Sequence, residues 1–207
     1  MQPISPSLPA SEETQDRRLV LRDGTVATVR VATLQDRDAV RRFFHELSPE
    51  SKRKRFFVSA DPSETLIDRL CDSNDPARGQ TLVVERQVDG HLKVIATGSY
   101  LAVKPRVAET AFAVDDHFQG KGLGTALLER LAVTAAASGF QRFEATTLAD
   151  NEAMLDVFRD SGFVTRSKSS GGCVDLQLSL TPFPDSVASA EECERVFGVL
   201  AQSRERE

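Results

Sequence analysis

The run Gln119-Gly120-Lys121-Gly122-Leu123-Gly124-Thr125 constrains this chain more than any other stretch, because it stands between a strand pattern and a long apolar-periodic helix pattern. Alternating glycines let a backbone turn with positive φ and bring successive N–H groups close to a ligand. A nest of that kind, leading into a helix N-terminus, forms an anion site suited to a pyrophosphate. The spacing is not Gly-x-Gly-x-x-Gly, and no Gly-Lys-[Ser/Thr] follows at Walker spacing, so the Rossmann and P-loop readings fail. A plain strand-to-helix turn accounts for an isolated Gly-x-Gly-x-Gly about as well. The flanks must decide.

Those flanks read as a mixed α/β domain. Leu19–Arg22 and Thr25–Val31 form a hairpin across Asp23-Gly24. Asp36 precedes a periodic stretch (Ala39, Val40, Phe43, Phe44, Leu47) that predicts a capped helix over about 36–46. Ser48-Pro49 starts a second helix carrying Lys52-Arg53-Lys54-Arg55, and Ser63 to Leu70 is a third. Thr81–Gln87 and Leu92–Val103 flank the Asp89-Gly90 turn, and Val107–Val114 adds another strand. Leu123, Leu127, Leu128, Leu131 and Val133 lie on an amphipathic helix that stops before Gly139. A strand over Phe143–Leu148, a helix from Asp150/Asn151 to Ser161 and a last hairpin closing near Leu180 complete the pattern. Residues 1–17 are rich in Pro, Ser and Glu and read as a disordered leader. Past Thr181, Pro182 and Pro184 precede a charged helix candidate over 190–206, so 182–207 reads as a linker or appendage with a charged helix, a connection to a further domain being one expectation. The folded domain is expected over 18–181.

Composition narrows the function classes. The chain has 207 residues, with 26 Lys plus Arg against 31 Asp plus Glu and a net charge of −5, which disfavours nucleic-acid binding as a main role. Cys71, Cys173 and Cys193 lie far apart, and only His45, His91 and His117 could join them, so neither a disulfide scaffold nor a metal site is expected. A reducing cytoplasm fits that usage. No apolar run approaches about 18 residues, so no membrane span is expected. Twelve Phe but a single Tyr and no Trp leave almost no phenolic acid.

The order strand, helices, antiparallel strands, then Val114 and five residues to Gln119, resembles the GNAT acyltransferase superfamily. Its (Gln/Arg)-x-x-Gly-x-(Gly/Ala) signature is met by Gln119, Gly122 and Gly124. Asn151, Met154, Val157 and Gly162-Phe163 match the family's Asn-led helix. The resemblance covers about residues 18–181. It implies a central, mostly antiparallel twisted sheet flanked by helices, and an acyl-CoA co-substrate without a metal. Its pyrophosphate is expected on the backbone of residues 119–125, with Lys121 either near a phosphate or solvated. Main-chain groups of Phe112, Ala113 and Val114 are expected to pair with the pantetheine amides, as a strand edge pairs with an extended peptide. Asn151 is expected to bond the pantetheine arm, to cap its helix, or both.

Acetylating a lysine needs a base, because only about one amine in a few thousand is neutral at pH 7. Glu109 is out of character in the apolar strand Val107–Val114. It is either a solvent-facing residue or a base whose pKa burial raises. The same strand, together with Leu19-x-x-Arg22-Asp23-Gly24, Leu47-Ser48-Pro-Glu-Ser51 with Arg55-Phe56, and Asp150-Asn151 with Met154, resembles the Pat-type protein lysine acetyltransferases. Those enzymes modify acyl-CoA synthetases, and the resemblance makes Glu109 their general base. Many GNAT enzymes carry an acid Tyr seven residues after the Asn, where this chain has Phe158; that ring is expected to pack against the cofactor arm, with water serving the thiolate. His117, beside Asp115 and Asp116, reads as an exposed loop residue. Lys52–Arg55 reads as a solvated helix face, with docking of an acidic protein or contact with the 3′-phosphate as other uses.

The expected activity is therefore acetyl transfer from acetyl-CoA to a protein lysine, with an acyl-CoA synthetase as partner. The competing readings are acetylation of a small amine and a non-catalytic acyl-CoA sensor within a fusion.

Overall fold

Leu82, Val83 and Val84 are consecutive and all buried, yet Leu82 and Val84 join one apolar cluster while Val83 joins the other. A strand buried on both faces sits mid-sheet between layers of helix. In the computed structural model, which describes residues 17–163 and 165–180, that sheet has eight strands. They are β1 (Arg18–Val20), β2 (Val26–Val31), β3 (Gly79–Val88), β4 (His91–Lys104), β5 (Val107–Val114), β6 (Arg142–Leu148), β7 (Thr165–Ser170) and β8 (Cys173–Ser179). Their spatial order is β1-β2-β3-β4-β5-β6-β8-β7, and every neighbouring pair is antiparallel except β5–β6. The expected leader, apart from Arg17, and the expected C-terminal linker and helix lie outside the described residues.

Among the described residues five α-helices cover the sheet: α1 (Arg37–Glu46), α2 (Pro49–Phe56), α3 (Glu64–Cys71), α4 (Leu123–Ala137) and α5 (Glu152–Asp160). α4 buries Leu123, Leu127, Leu128 and Leu131 against the strands, each such side chain stabilising the fold by roughly 1.5–3 kcal/mol. On the opposite face α1 and α3 supply Val40, Phe43, Phe44, Ile67 and Leu70. α2 begins as its sequence predicts: Pro49 occupies the first turn, and the Ser48 hydroxyl accepts from Ser51 N at 3.1 Å. It ends where Phe57 adopts a left-handed φ of 63°.

Asp36 departs from expectation. α1 does start after it, but its carboxylate does not cap that helix. It accepts from Thr33 N at 2.7 Å and pairs with Arg30, which also holds Glu85 at 2.5 Å. A half-buried cation from β2 outcompetes the helix N–H groups for this carboxylate, because a charge-assisted contact is the stronger one.

Candidate active site

β5 and β6 pair over only three positions: Val107–Arg142, Ala108–Phe143 and Glu109–Glu144. Beyond Glu109 the two strands part. The gap is an open cleft of about 350 Å³, walled by Thr110–Val114 on one side and by Ala145–Thr147 and Asn151 on the other. Asp115 N donates to Ile95 O of β4 at 2.9 Å, so the alternation of an antiparallel ladder directs Ala111 and Ala113 toward β4. Phe112 and Val114 then turn their main-chain groups to the cleft, and Val114 O indeed accepts from Gln119 Nε2 at 3.2 Å. Of the main-chain triplet expected for the pantetheine arm, Phe112 and Val114 turn to the cleft, whereas the main-chain groups of Ala113 face β4.

The glycine loop closes one end of the cleft. Gly120 and Gly122 hold φ values of 74° and 86°, which side chains rarely adopt. Ala126 N is the first to bond back into α4, to Gly122 O at 3.1 Å. The N–H groups from Gly122 through Thr125 therefore lack intrahelical partners and stand at the positive end of a 15-residue helix. Gln119, Gly120, Gly122, Leu123, Gly124 and Thr125 all line the cleft. Lys121 does not line it. Its ammonium pairs with Asp23 Oδ2 at 2.8 Å and lies 5.2 Å from the centroid of the Phe118 ring. Lys121 and the Thr25 hydroxyl and N–H hold the Asp23 carboxyl well below the usual carboxylate range.

Asn151 occupies the N-cap position of α5, but its side chain caps nothing; it is buried and donates to Thr147 Oγ1 at 3.1 Å. It also lines the cleft. Phe158 is buried beside the cleft, edge-on to Phe112 with centroids 6.2 Å apart. Tyr100 is fully buried against Phe140 and Phe143, and its hydroxyl donates to Pro76 O at 3.0 Å, so it supplies no acid here. His117 is exposed and sits 3.0 Å from Asp115.

Glu109 stands at the cleft mouth, one residue before the lining begins, on the same strand face as Ala111 and Ala113. It is exposed. Of the two settings expected for it, it takes the solvent-facing one: pairing with β6 stops at this residue, leaving that edge open to water. Above the same face, α2 packs on β5 and β6. Its basic run is not a free cationic face: Lys52 pairs with Asp61, Arg53 with Glu50 and Asp150, and Lys54 with Glu50. Arg55 is the exception. It lines the cleft, its Nε is buried without a hydrogen-bond partner, and its guanidinium lies over the Phe56 ring. Burial lowers its pKa to about 10, opposed by the negative charge of Glu109, so it stays cationic at neutral pH.

Three features were not singled out from the sequence as parts of one site. Arg22 reaches the glycine loop from the β1–β2 turn. Of the basic run, Lys54 and Arg55 line the cleft, Lys54 with its ammonium paired to Glu50. Asp116 accepts from Ser48 N, Ser48 Oγ and Ser51 Oγ, tying α2 to the strand-to-loop turn, while Gln119 Nε2 donates to Ser51 Oγ at 3.0 Å. Among the described residues no group of three or more His, Cys, Asp and Glu is placed to hold a metal. No described helix is long and apolar enough to cross a membrane.

An extended ligand with a diphosphate at one end fits these features: an open strand edge, a row of free N–H groups and unsatisfied guanidinium chemistry within one cleft. Comparison with known proteins agrees. The acetyltransferase (GNAT) family matches residues 31–163, and that family uses acetyl-CoA. Acetyltransferase PA5475 of Pseudomonas aeruginosa is 31% identical over 146 residues, covering 70% of this chain and 78% of that protein. The acetyltransferase Pat of Mycolicibacterium smegmatis is 31% identical over 121 residues; the match covers 58% of this chain and 35% of Pat, so this chain spans about a third of that relative. The crystal structure of the GNAT domain of S. lividans PAT is 34% identical with a TM-score of 0.67, covering 78% of this chain and 95% of that one. With its parted strands and its glycine loop, this chain belongs to the GNAT acetyltransferase family.

Proposed function

We propose that this acetyltransferase modifies a lysine of a protein, an acyl-CoA synthetase in the cytoplasm, with Glu109 as general base. One observation carries the reading: Glu109 sits at the mouth of the cleft, at the point where β5 leaves β6, open to water on the face of Ala111. A base placed there meets an amine arriving from outside. The resemblance of the strand and its flanking motifs to the Pat-type protein lysine acetyltransferases supports a protein as the carrier of that amine.

Acetyl-CoA supplies the thioester to be attacked. A lysine amine is neutral about once in a few thousand molecules at pH 7, a handicap of roughly 4–5 kcal/mol. Glu109 accepts the ammonium proton, directly or through a water, and so offsets that handicap. The free N–H groups of Phe112 and Val114 on the β5 edge lie where a carbonyl oxygen gathering charge can accept from them. Val114, Phe112 and Asn151 orient the pantetheine arm, and Phe158 packs beside it. The glycine loop holds the diphosphate. Water protonates the departing thiolate, since no phenol reaches the site.

Incubation with labelled acetyl-CoA and an acetyl-CoA synthetase, comparing the wild type with Glu109→Ala, tests the proposal. Label on a synthetase lysine with the wild type alone supports it. Equal labelling by both variants removes Glu109 as base. Label on small amines alone redirects the assignment to a small-molecule enzyme.

A further inference from the structure

The glycine loop offers a diphosphate only N–H groups, and the cation within the loop is already spent. Lys121 is paired with Asp23 at 2.8 Å and does not line the cleft. A doubly charged ligand in that position still calls for a counter-charge, and the β1–β2 turn brings one. Arg22 N donates to Lys121 O at 3.2 Å, so this turn is bound to the loop backbone as well as to its lysine. The Arg22 side chain lies along Gly122: its Nε, Cγ and Cδ stand 3.5, 3.6 and 3.8 Å from the point a Cβ on Gly122 would occupy. Arg22 lines the cleft together with Gly120, Gly122 and Thr125, and it is exposed, with no ion pair among the described residues.

We propose that Arg22 is a phosphate-binding residue for the CoA diphosphate, delivered by the β1–β2 hairpin to the glycine loop from a part of the chain about a hundred residues upstream. The proposal rests on the reading that this loop holds the diphosphate. The Asp23–Lys121 pair is then the clasp, and Arg22 is what the clasp positions. A guanidinium held against the loop presents a fork of donors matched to phosphate oxygens, at low entropic cost because two contacts already fix the turn. A Cβ at Gly122 would meet Arg22 at ordinary van der Waals distance, so it is the positive φ and not crowding that favours glycine there.

Titration calorimetry with CoA, 3′-dephospho-CoA and pantetheine tests this on the whole chain. The wild type is expected to bind both nucleotides more tightly than pantetheine. Arg22→Gln is expected to weaken CoA and 3′-dephospho-CoA equally, by about 10- to 100-fold, the range of one charge-assisted contact, while leaving pantetheine unchanged. Arg22→Lys restores part of the affinity, and Arg166→Gln on β7, an exposed arginine outside the cleft, leaves all three values unchanged. If the wild type binds CoA no better than pantetheine, the loop does not hold the diphosphate and the underlying reading falls. If the wild type discriminates but Arg22→Gln binds CoA as it does, the role of Arg22 falls alone. A loss confined to CoA, sparing 3′-dephospho-CoA, moves Arg22 to the ribose 3′-phosphate and overturns the diphosphate assignment.

Discussion

Replacing Arg30 by methionine is expected to destabilise the fold more than any exposed ion pair would, and to do so in a pH-dependent way. Arg30 bonds Glu85 at 2.9 and 2.5 Å and Asp36 at 2.8 and 2.7 Å. The carboxylate side chains are only 12% and 10% exposed, and Arg30 itself is 29% exposed. Removing the cation strands two carboxylates near one another. Breaking a fully buried pair costs about 3–5 kcal/mol, and the partial exposure of Arg30 brings the expectation to about 2–4 kcal/mol. At roughly 2–4 °C per kcal/mol, Tm falls by about 5–15 °C. Arg30 is the main cause of a native Asp36 pKa near 2, against about 3.9 in an unfolded chain. A lowered carboxylate pKa contributes stability that is complete above about pH 5 and lost as pH falls toward 2, here about 2–3 kcal/mol. The deficit of Arg30→Met is therefore largest at pH 7 and shrinks at pH 3. Urea unfolding of both proteins at the two pH values reads this directly. An unchanged midpoint at pH 7, or a deficit undiminished at pH 3, would refute the reasoning.

Three other outcomes follow from packing and burial. In Gly98→Ala the new methyl meets Phe112 Cδ1 at 3.0 Å, Leu131 Cδ1 at 3.1 Å and Leu127 Cβ at 3.2 Å, so a loss of about 1–3 kcal/mol is expected in thermal unfolding, together with a higher KM for acetyl-CoA as Phe112 shifts. Phe158→Tyr, which creates the phenol that many GNAT enzymes have, is expected to leave kcat within about threefold and to cost about 1–3 kcal/mol for a buried hydroxyl without a partner; a tenfold rise in kcat would show that thiolate protonation limits the wild type. Cys71 is buried, and burial raises its thiol pKa to about 11, so alkylation by iodoacetamide at pH 7.5, followed by mass spectrometry, is expected to modify it only after unfolding.

The element boundaries were legible because apolar periodicity and punctuation agreed: Ser48-Pro49, Ser63 and Asp89-Gly90 mark helix starts and a hairpin that the fold uses as expected. The glycine loop was legible for the same reason, since positive φ leaves glycine as its signature. What escaped were pairings between distant residues. Residue type alone cannot tell that Lys121 answers to Asp23 or that Asp36 answers to Arg30, because either lysine or carboxylate suits a solvated turn equally well. The choice between a solvent-facing and a buried Glu109 was undecided for a related reason. An apolar strand pattern says which residues are flanked by the core, but the three-residue extent of β5–β6 pairing belongs to the sheet. The same divergence sorted Phe112 and Val114 from Ala113, and no local pattern of small and aromatic residues encodes which main-chain groups stay unpaired.

The central claim is that a carboxylate at the cleft mouth relieves a lysine of its proton. Its most direct test is kcat/KM for acetylation of a synthetase lysine, measured from pH 6.5 to 9.5 for the wild type and for Glu109→Gln. At pH 7 the variant is predicted to be about 10²–10⁴-fold slower, the usual range for a lost general base. It is then predicted to regain about tenfold per pH unit as solution deprotonates the amine, so the two profiles converge at high pH. Superimposed profiles across the whole range, or a wild type that labels no lysine of the synthetase, would contradict the account.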